Sequence, residues 1–252
     1  NGTIKIIDLI QKAFDEAGYV VLPDLSKAVI DMTEYGVPQN RKRIIILGVS
    51  KEYYGENAES IVKSFYSSYL PEYKVEKKVT VRDAIGDLPK LIPLDAPVSY
   101  NGRKLSHSLP DPFINGHVSR FHSKRDIELF KFLEEDIESG KKSYTNAEAL
   151  KELYTKMTGK TSNIHKYYVL RWDEPSNLIP AHLYKDGLRH IHPDPEQART
   201  ITVREAARLQ TFPDDYIFNC SQTDAFKMIG NAVPPLFAKK VAYAVYHLIR
   251  EN

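Results

Sequence analysis

Tyr35-Gly36-Val37-Pro38-Gln39-Asn40-Arg41-Lys42-Arg43-Ile44-Ile45-Ile46-Leu47-Gly48-Val49 passes from a turn through a row of cations into an apolar run. Gly36 and Pro38 punctuate the turn. The isoleucines and Leu47 are continuous rather than alternating, which predicts that Arg43 to Val49 is a strand buried on both faces. Upstream, Tyr19 to Leu22 is short, β-rich and stopped by Pro23, and reads as a second strand. Before it, Ile7, Ile10, Phe14 and Ala17 recur at helical spacing within residues 3 to 17, with Ile4 one turn earlier and Gly18 placed as the C-terminal cap. Helix, strand and buried strand form a piece of an α/β sheet. Two strands and one helix leave a sheet face uncovered, so the piece is not a whole domain.

From Ser50 to about Tyr184 the regularity falls away. Helices are predicted near 56 to 68, 124 to 137 and 146 to 156, separated by Pro- and Lys-containing loops, as in an irregular α+β insertion. Basic side chains stand beside tyrosines at Lys74 to Lys78, Ser123 to Asp126, Gly140 to Lys142 and His165 to Tyr168. These stretches fit either a solvated surface or a groove for nucleic acid. Thr80-Val81-Arg82-Asp83 and Thr202-Val203-Arg204-Glu205 both have the spacing of a capping box. The second helix continues through Ala206, Ala207, Leu209 and Gln210 until Pro213. A last helix is predicted from about Pro235 to Ile249, with Phe237, Val241, Val245 and Leu248 as its apolar stripe. That stripe needs a partner, most simply the α/β piece at the other end of the chain.

Composition sets outer limits. The chain has 252 residues, 42% of them hydrophobic, with 35 Lys+Arg against 33 Asp+Glu. A chain of that length buries roughly three quarters of its unfolded surface, and its apolar fraction argues against disorder. A formal charge of +2 excludes polyanion binding by bulk charge alone. The longest apolar run falls far short of the roughly 20 residues that cross a bilayer, and the first thirty residues lack a signal-peptide layout. The expected compartment is the cytoplasm, or the nucleus in a nucleated cell, with no membrane partner. One cysteine, Cys220, excludes an internal disulfide. Asn1 in place of Met is read as a boundary within a longer chain or a processed terminus.

Chemistry concentrates in three places. Gln39, Arg41 and Arg43 are spaced by two; if the strand begins near Arg41, all three point to one side. Guanidinium groups beside an amide suit an anion or a base edge, although the same residues also describe a solvated charge cluster. Gly230-Asn231-Ala232-Val233-Pro234-Pro235 makes a helix mouth: Gly230 for an unusual backbone angle, Asn231 for local or ligand bonding, the prolines to preset the next helix. His190, His192 and Asp194 lack further ligands nearby, so a hydrogen-bonding role is expected there rather than a metal. No glycine-rich phosphate loop or serine nucleophile elbow occurs, and Cys220 lacks an activating neighbour.

Together these segments resemble the C-terminal half of DNA cytosine-5 methyltransferases. Gln39 to Arg43 is similar to the family's Q-x-R-x-R motif, Arg199 to Asp214 to its penultimate motif, and Ile229 to Pro235 to its final G-N-x-V-P-P motif, in the same order and spacing. Thr80 to Pro89, His117 and Arg171 to Ser176 are also family-like within an otherwise variable middle. The resemblance implies an α/β fold: a partial Rossmann-like methyltransferase sheet from the N- and C-terminal segments, plus an irregular α+β target-recognition domain. It implies catalytic-domain elements in 1-50, a target-recognition domain with its bracing helix in 51-222, and a final helix in 223-252 that returns to the catalytic domain. Arg41 and Arg43 would face a flipped cytosine, Arg43 nearest the base and Gln39 holding that edge. Asn231 and the Ala232 backbone would line a pocket for S-adenosyl-L-methionine, and Thr202 to Phe212 would brace the recognition domain.

The family's Pro-Cys loop, its Glu-Asn-Val segment and its glycine-containing cofactor loop are not in the sequence, and Cys220 lies between the last two motifs without a preceding proline. The expectation is therefore the C-terminal part of an enzyme, inactive alone, whose partners are duplex DNA and the N-terminal half of the methyltransferase. A non-catalytic DNA-binding module and a relative acting on RNA are the other readings. The long middle region favours DNA over RNA.

Overall fold

Side-chain caps set the boundaries of most of the helices. Thr80 and Thr202 each close a reciprocal capping box, and Ser123, Asn146 and Ser221 each accept a backbone N–H at their helix starts. The computed structural model describes residues 6–161 and 166–252, so Ile4 and His165 of the sequence reading lie outside the described residues. In chain order the elements are α1 (Ile6–Glu16), β1 (Tyr19–Val20), β2 (Val29–Asp31), β3 (Lys42–Ile44), β4 (Val49–Ser50), α2 (Lys51–Tyr54), α3 (Ala58–Ser64), α4 (Val81–Ile85), β5 (Pro93–Tyr100), β6 (Arg103–His107), α5 (Lys124–Glu138), α6 (Ala147–Thr158), α7 (Val203–Leu209), α8 (Gln222–Asn231) and α9 (Pro235–Glu251). The strands of the described residues pair antiparallel in twos, β1 with β4, β2 with β3 and β5 with β6, giving a mixed α/β chain with small sheets. No helix of the described residues is long and apolar enough to cross a membrane.

Packing divides the chain into two compact units, Asn1–Lys78 with Pro234–Asn252, and Val79–Val233. These divisions fall later than residues 50 and 222, because α3 joins the core of the first unit and α8 that of the second.

In the first unit the stripe of α9 finds its partner. Phe237, Ala244 and Leu248 are buried with Met32, Tyr35, Val37, Ile61, Val62 and Phe65, and Tyr35 meets Phe237 edge-on at 5.3 Å. Ile10 and Phe14 of α1 pack on a second cluster of Val21, Leu22, Leu25 and Ala28. The predicted buried strand takes a different form. Only Lys42–Ile44 pairs, against β2, all three residues are exposed, and the chain then leaves the ladder until Val49. Ile45 and Leu47 pack on the α9 cluster while Ile46 packs on the α1 cluster, so an unbroken apolar run serves two cores at once. Backbone bonding is completed by a side chain: the Tyr66 hydroxyl accepts from Leu47 N at 2.9 Å and donates to Ile45 O at 2.8 Å.

The second unit has two apolar clusters. One gathers Val81, Ile85, Ile179, Ile201, Leu209, Phe226 and Ile229 around α4, α7 and α8. The other joins α5 to α6 through Leu129, Phe130, Leu133, Leu150 and Leu153. The β5–β6 hairpin within this unit turns on Asn101 (φ +48°) and Gly102 (φ +72°), an Asn-Gly pair with the positive angles of a type I′ turn.

Candidate functional site

A capped helical turn delivers Gln39, Arg41 and Arg43 to the start of β3. Asp31 accepts from Thr33 N at 3.0 Å and from the Thr33 hydroxyl at 2.8 Å, which starts the turn. Gly36 ends it in the left-handed region at φ +83°, where a side chain would be strained. The chain then reverses through Pro38, and Met32 N donates to Arg41 O at 3.0 Å. β3 begins at Lys42, and the three side chains differ in burial. Gln39 is fully buried and Arg41 is 5% exposed, whereas Arg43 is exposed and donates to its neighbour's carbonyl, Lys42 O, at 2.7 Å. Burial lowers the pKa of the Arg41 guanidinium, and the nearby charge of Arg43 lowers it further. The result is a buried cation behind an outward one.

The second candidate lies in the other unit. Asn231 is the last, exposed residue of α8, and Ala232 caps the helix, its N–H reaching Met228 O and Ile229 O. The Gln210 side chain, fully buried at the end of α7, donates to Ile229 O at 3.0 Å and Ala232 O at 2.8 Å. It therefore clamps the turn that carries Asn231. Gly230 is helical rather than left-handed, which corrects the expectation of an unusual backbone angle. A Cβ there would sit 2.3 Å from Ala181 N and 2.4 Å from Pro180 C, so the glycine exists for close backbone approach.

Around α7 the structure assembles a buried polar network invisible in the sequence. Arg199 grips Glu205 bidentately at 2.8 and 2.7 Å and also donates to Gln197 Oε1 at 2.6 Å. Burial raises the Glu205 pKa, but Arg199 more than reverses this and holds the carboxylate well below its usual range. His117 joins the capping box through the Thr202 hydroxyl at 3.1 Å and donates to Pro89 O at 2.8 Å. His192 lies 3.5 Å from Glu205 and is pushed down to about 3 by burial, so it is neutral. His190 is likewise buried and held at about 4, and Asp194 instead accepts from Gln197 Nε2 at 3.1 Å. His190, His192 and Asp194 thus serve the packing of this unit. Arg204 and Arg208 fasten α7 to its surroundings: Arg204 donates to Asn115 O at 2.9 Å and Tyr216 O at 2.8 Å, and Arg208 pairs with Asp214 at 2.7 Å.

With this geometry in view, the comparisons are decisive about family. The profile of C-5 cytosine-specific DNA methylases matches residues 2–247. The chain belongs to this family. It is 35% identical to a type II methyltransferase of Bacillus paralicheniformis, over 97% of this chain and 57% of that protein. It is 27% identical to a type II methyltransferase of Thalassovita gelatinovora, over 97% of this chain and 70% of that one. The chain therefore spans little more than half the length of the Bacillus relative. Its fold is also that of a solved prophage-encoded DNA modification methyltransferase of E. coli, with a TM-score of 0.60 at 22% identity, covering 96% of this chain and 65% of that one. Gln39, Arg41 and Arg43 lie in the first unit, and Gly230 to Val233 lie in the second.

Proposed function

We propose that this chain is the C-terminal part of a DNA cytosine-5 methyltransferase of a type II restriction-modification system, acting in the compartment that holds the DNA, the cytoplasm of a bacterium. The family match over residues 2–247 carries this reading. In it, the first unit completes a Rossmann-like catalytic domain and the second is the target-recognition domain. The reaction is methyl transfer to cytosine C5 in duplex DNA.

In this reading Arg43, which is exposed, touches the base. Attack at cytosine C6 builds negative charge on the ring, and a fixed outward guanidinium stabilises that charge. Arg41 and Gln39, which are buried, would help to hold that edge of the site. In this reading the nucleophile comes from the N-terminal half, because Cys220 lies between the last two motifs with no proline before it. S-adenosyl-L-methionine supplies the electrophilic methyl group when bound. The Asn231 side chain fits a role in holding it, being exposed and making no hydrogen bond among the described residues, on a turn that Gln210 holds rigid. The N–H of Ala232 is already spent on α8, so the Ala232 contribution is its backbone shape.

The test is Arg43→Ala in enzyme reconstituted from this chain and the N-terminal half. Turnover should fall by about two to three orders of magnitude, as for loss of a charge-stabilising donor, with duplex binding retained. Unchanged turnover would instead support a binding module with no part in catalysis.

A further inference from the structure

The second unit carries a projection that its own core does not explain. From Asp95 to Lys104 every residue of the β5–β6 hairpin is exposed, whereas Leu105, Ser106 and His107 at its base are buried. The base is firmly held. His107 donates to Gln197 O at 2.8 Å, Ser108 N donates to Ile92 O at 2.8 Å, and His122 N donates to Ser106 Oγ at 2.9 Å. The rings of His107 and His122 meet edge-on at 5.9 Å, and His122 meets Phe130 at 5.2 Å. An isolated two-stranded ribbon is marginal in water, so this anchoring is what keeps it extended.

The tip is cationic and unneutralised. Among the described residues, neither Arg103 nor Lys104 has a carboxylate within ion-pairing distance, whereas Lys63, Lys74, Lys90 and Lys227, also exposed, each have one. Lys104 Nζ lies 5.0 Å over the exposed Phe121 ring, which begins the Phe121-His122-Ser123-Lys124-Arg125 segment alongside β6. Lys124 is also exposed and outside any ion pair among the described residues. The ribbon therefore offers two adjacent cations next to its turn, beside Tyr100, with its one carboxylate, Asp95, on the other strand towards the base.

We infer that the β5–β6 hairpin is a DNA-contacting arm, Arg103 and Lys104 meeting backbone phosphates as the ribbon lies along a groove of the duplex. This rests on the DNA-directed reading above and adds where and how the second unit makes contact. Duplex DNA is the occupant that matches: the major groove admits a two-stranded β-ribbon, and phosphates neutralise cations that the protein leaves unpaired.

The experiment measures binding of the full chain to a short duplex by fluorescence anisotropy across a salt series. Each phosphate contact contributes about 0.9 to the slope of log affinity against log salt. Arg103→Ala combined with Lys104→Ala should make that slope shallower by about 1.8, with an unchanged thermal midpoint because both residues are exposed. Arg103→Lys combined with Lys104→Arg should restore it. A wild-type chain that binds DNA and a double-alanine variant with the same slope would overturn the arm alone. A wild-type chain with no salt-dependent duplex binding would overturn both the arm and the DNA-directed reading. Concentration-dependent dimerisation lost in the double variant, without any change in the DNA slope, would assign the ribbon to a second copy instead.

Discussion

The two units differ in what they leave open. Residues 79–233 bury many charged and polar groups and match most of them internally: Arg199 with Glu205, Arg204 with backbone carbonyls, His117 with Thr202 and Pro89. The other unit is built from two-residue and three-residue ladders and turns apolar side chains outward. Ile6 is 75% exposed and Leu9 50%, and the cross-strand pair of Val29 and Ile44 is exposed on both strands. An isolated buried ion would be intolerable and an isolated exposed leucine is ordinary. A run of outward apolar groups along α1, β2 and β3 is another matter, and it fits a unit completed by further chain. The second unit is closed in the sense that its buried charges are matched internally, although it too exposes apolar side chains such as Phe113, Ile217 and Val233; the first, with its short ladders, is the open one.

The sharpest way to break that contrast is to break the closed unit's buried pair. Glu205→Ala leaves Arg199 buried and unpaired, and should cost about 3–5 kcal/mol in a denaturant melt. A loss below about 1 kcal/mol would mean that the network is not holding the unit together. Gly230→Ala follows, because its Cβ would strike the Pro180-Ala181 backbone rather than a movable side chain. A cost of about 1–3 kcal/mol or more is expected, and a neutral result would show that the two segments are not in close approach.

Proton linkage sharpens the same contrast by a smaller amount. His107 and His190 are held at about 4 and His122 and His192 at about 3 by burial, below the ordinary 6.5. The unfolded chain takes up these protons first, so stability falls as pH drops below about 6.5, by about 1.4 kcal/mol per pH unit for each histidine. Glu134, fully buried, is pushed up to about 9 by burial against the attraction of Arg199. Its folded form keeps a proton that the unfolded form has lost, so its contribution is complete below the usual carboxylate range and fades as pH rises towards 9. Stability of this unit should therefore peak near neutrality in a series of melts. Glu134→Gln should remove the alkaline decline and spare the acid one; an unchanged alkaline limb would assign that decline elsewhere. The smallest effect is expected on the open unit: Ile7→Ser and Ile44→Thr should change the stability of the chain alone by no more than about 0.5 kcal/mol. Both should weaken its association with the N-terminal half, measured by titrating that half.

Local signals made much of this readable. The periodicity of Ile10 and Phe14, the boxes at Thr80 and Thr202, and the Phe237 to Leu248 stripe each depend on neighbours within a few turns, and each forms where expected. The Asn101-Gly102 hairpin rests on the same local chemistry, inside a stretch whose composition reads as irregular. Other features depend on residues far apart in sequence. Ile44 to Leu47 looked like a doubly buried strand because continuity cannot separate one buried strand from a segment shared by two clusters. The reason for Gly230 lies about fifty residues away at Ala181, and the charge that faces Glu134, Arg199, is likewise distant in sequence, as Glu205 is from His192. Among the candidate site residues, spacing gave Gln39, Arg41 and Arg43 a common side if the strand began near Arg41, but it carried no sign of the burial that covers the first two and leaves the third exposed.

The central claim, that this chain is the recognition and completing part of a cytosine methyltransferase, is tested most directly by following labelled methyl from S-adenosyl-L-methionine into duplex DNA. The predicted result is no incorporation with this chain alone and incorporation when the N-terminal half is added. Label transferred to DNA by this chain alone would contradict it.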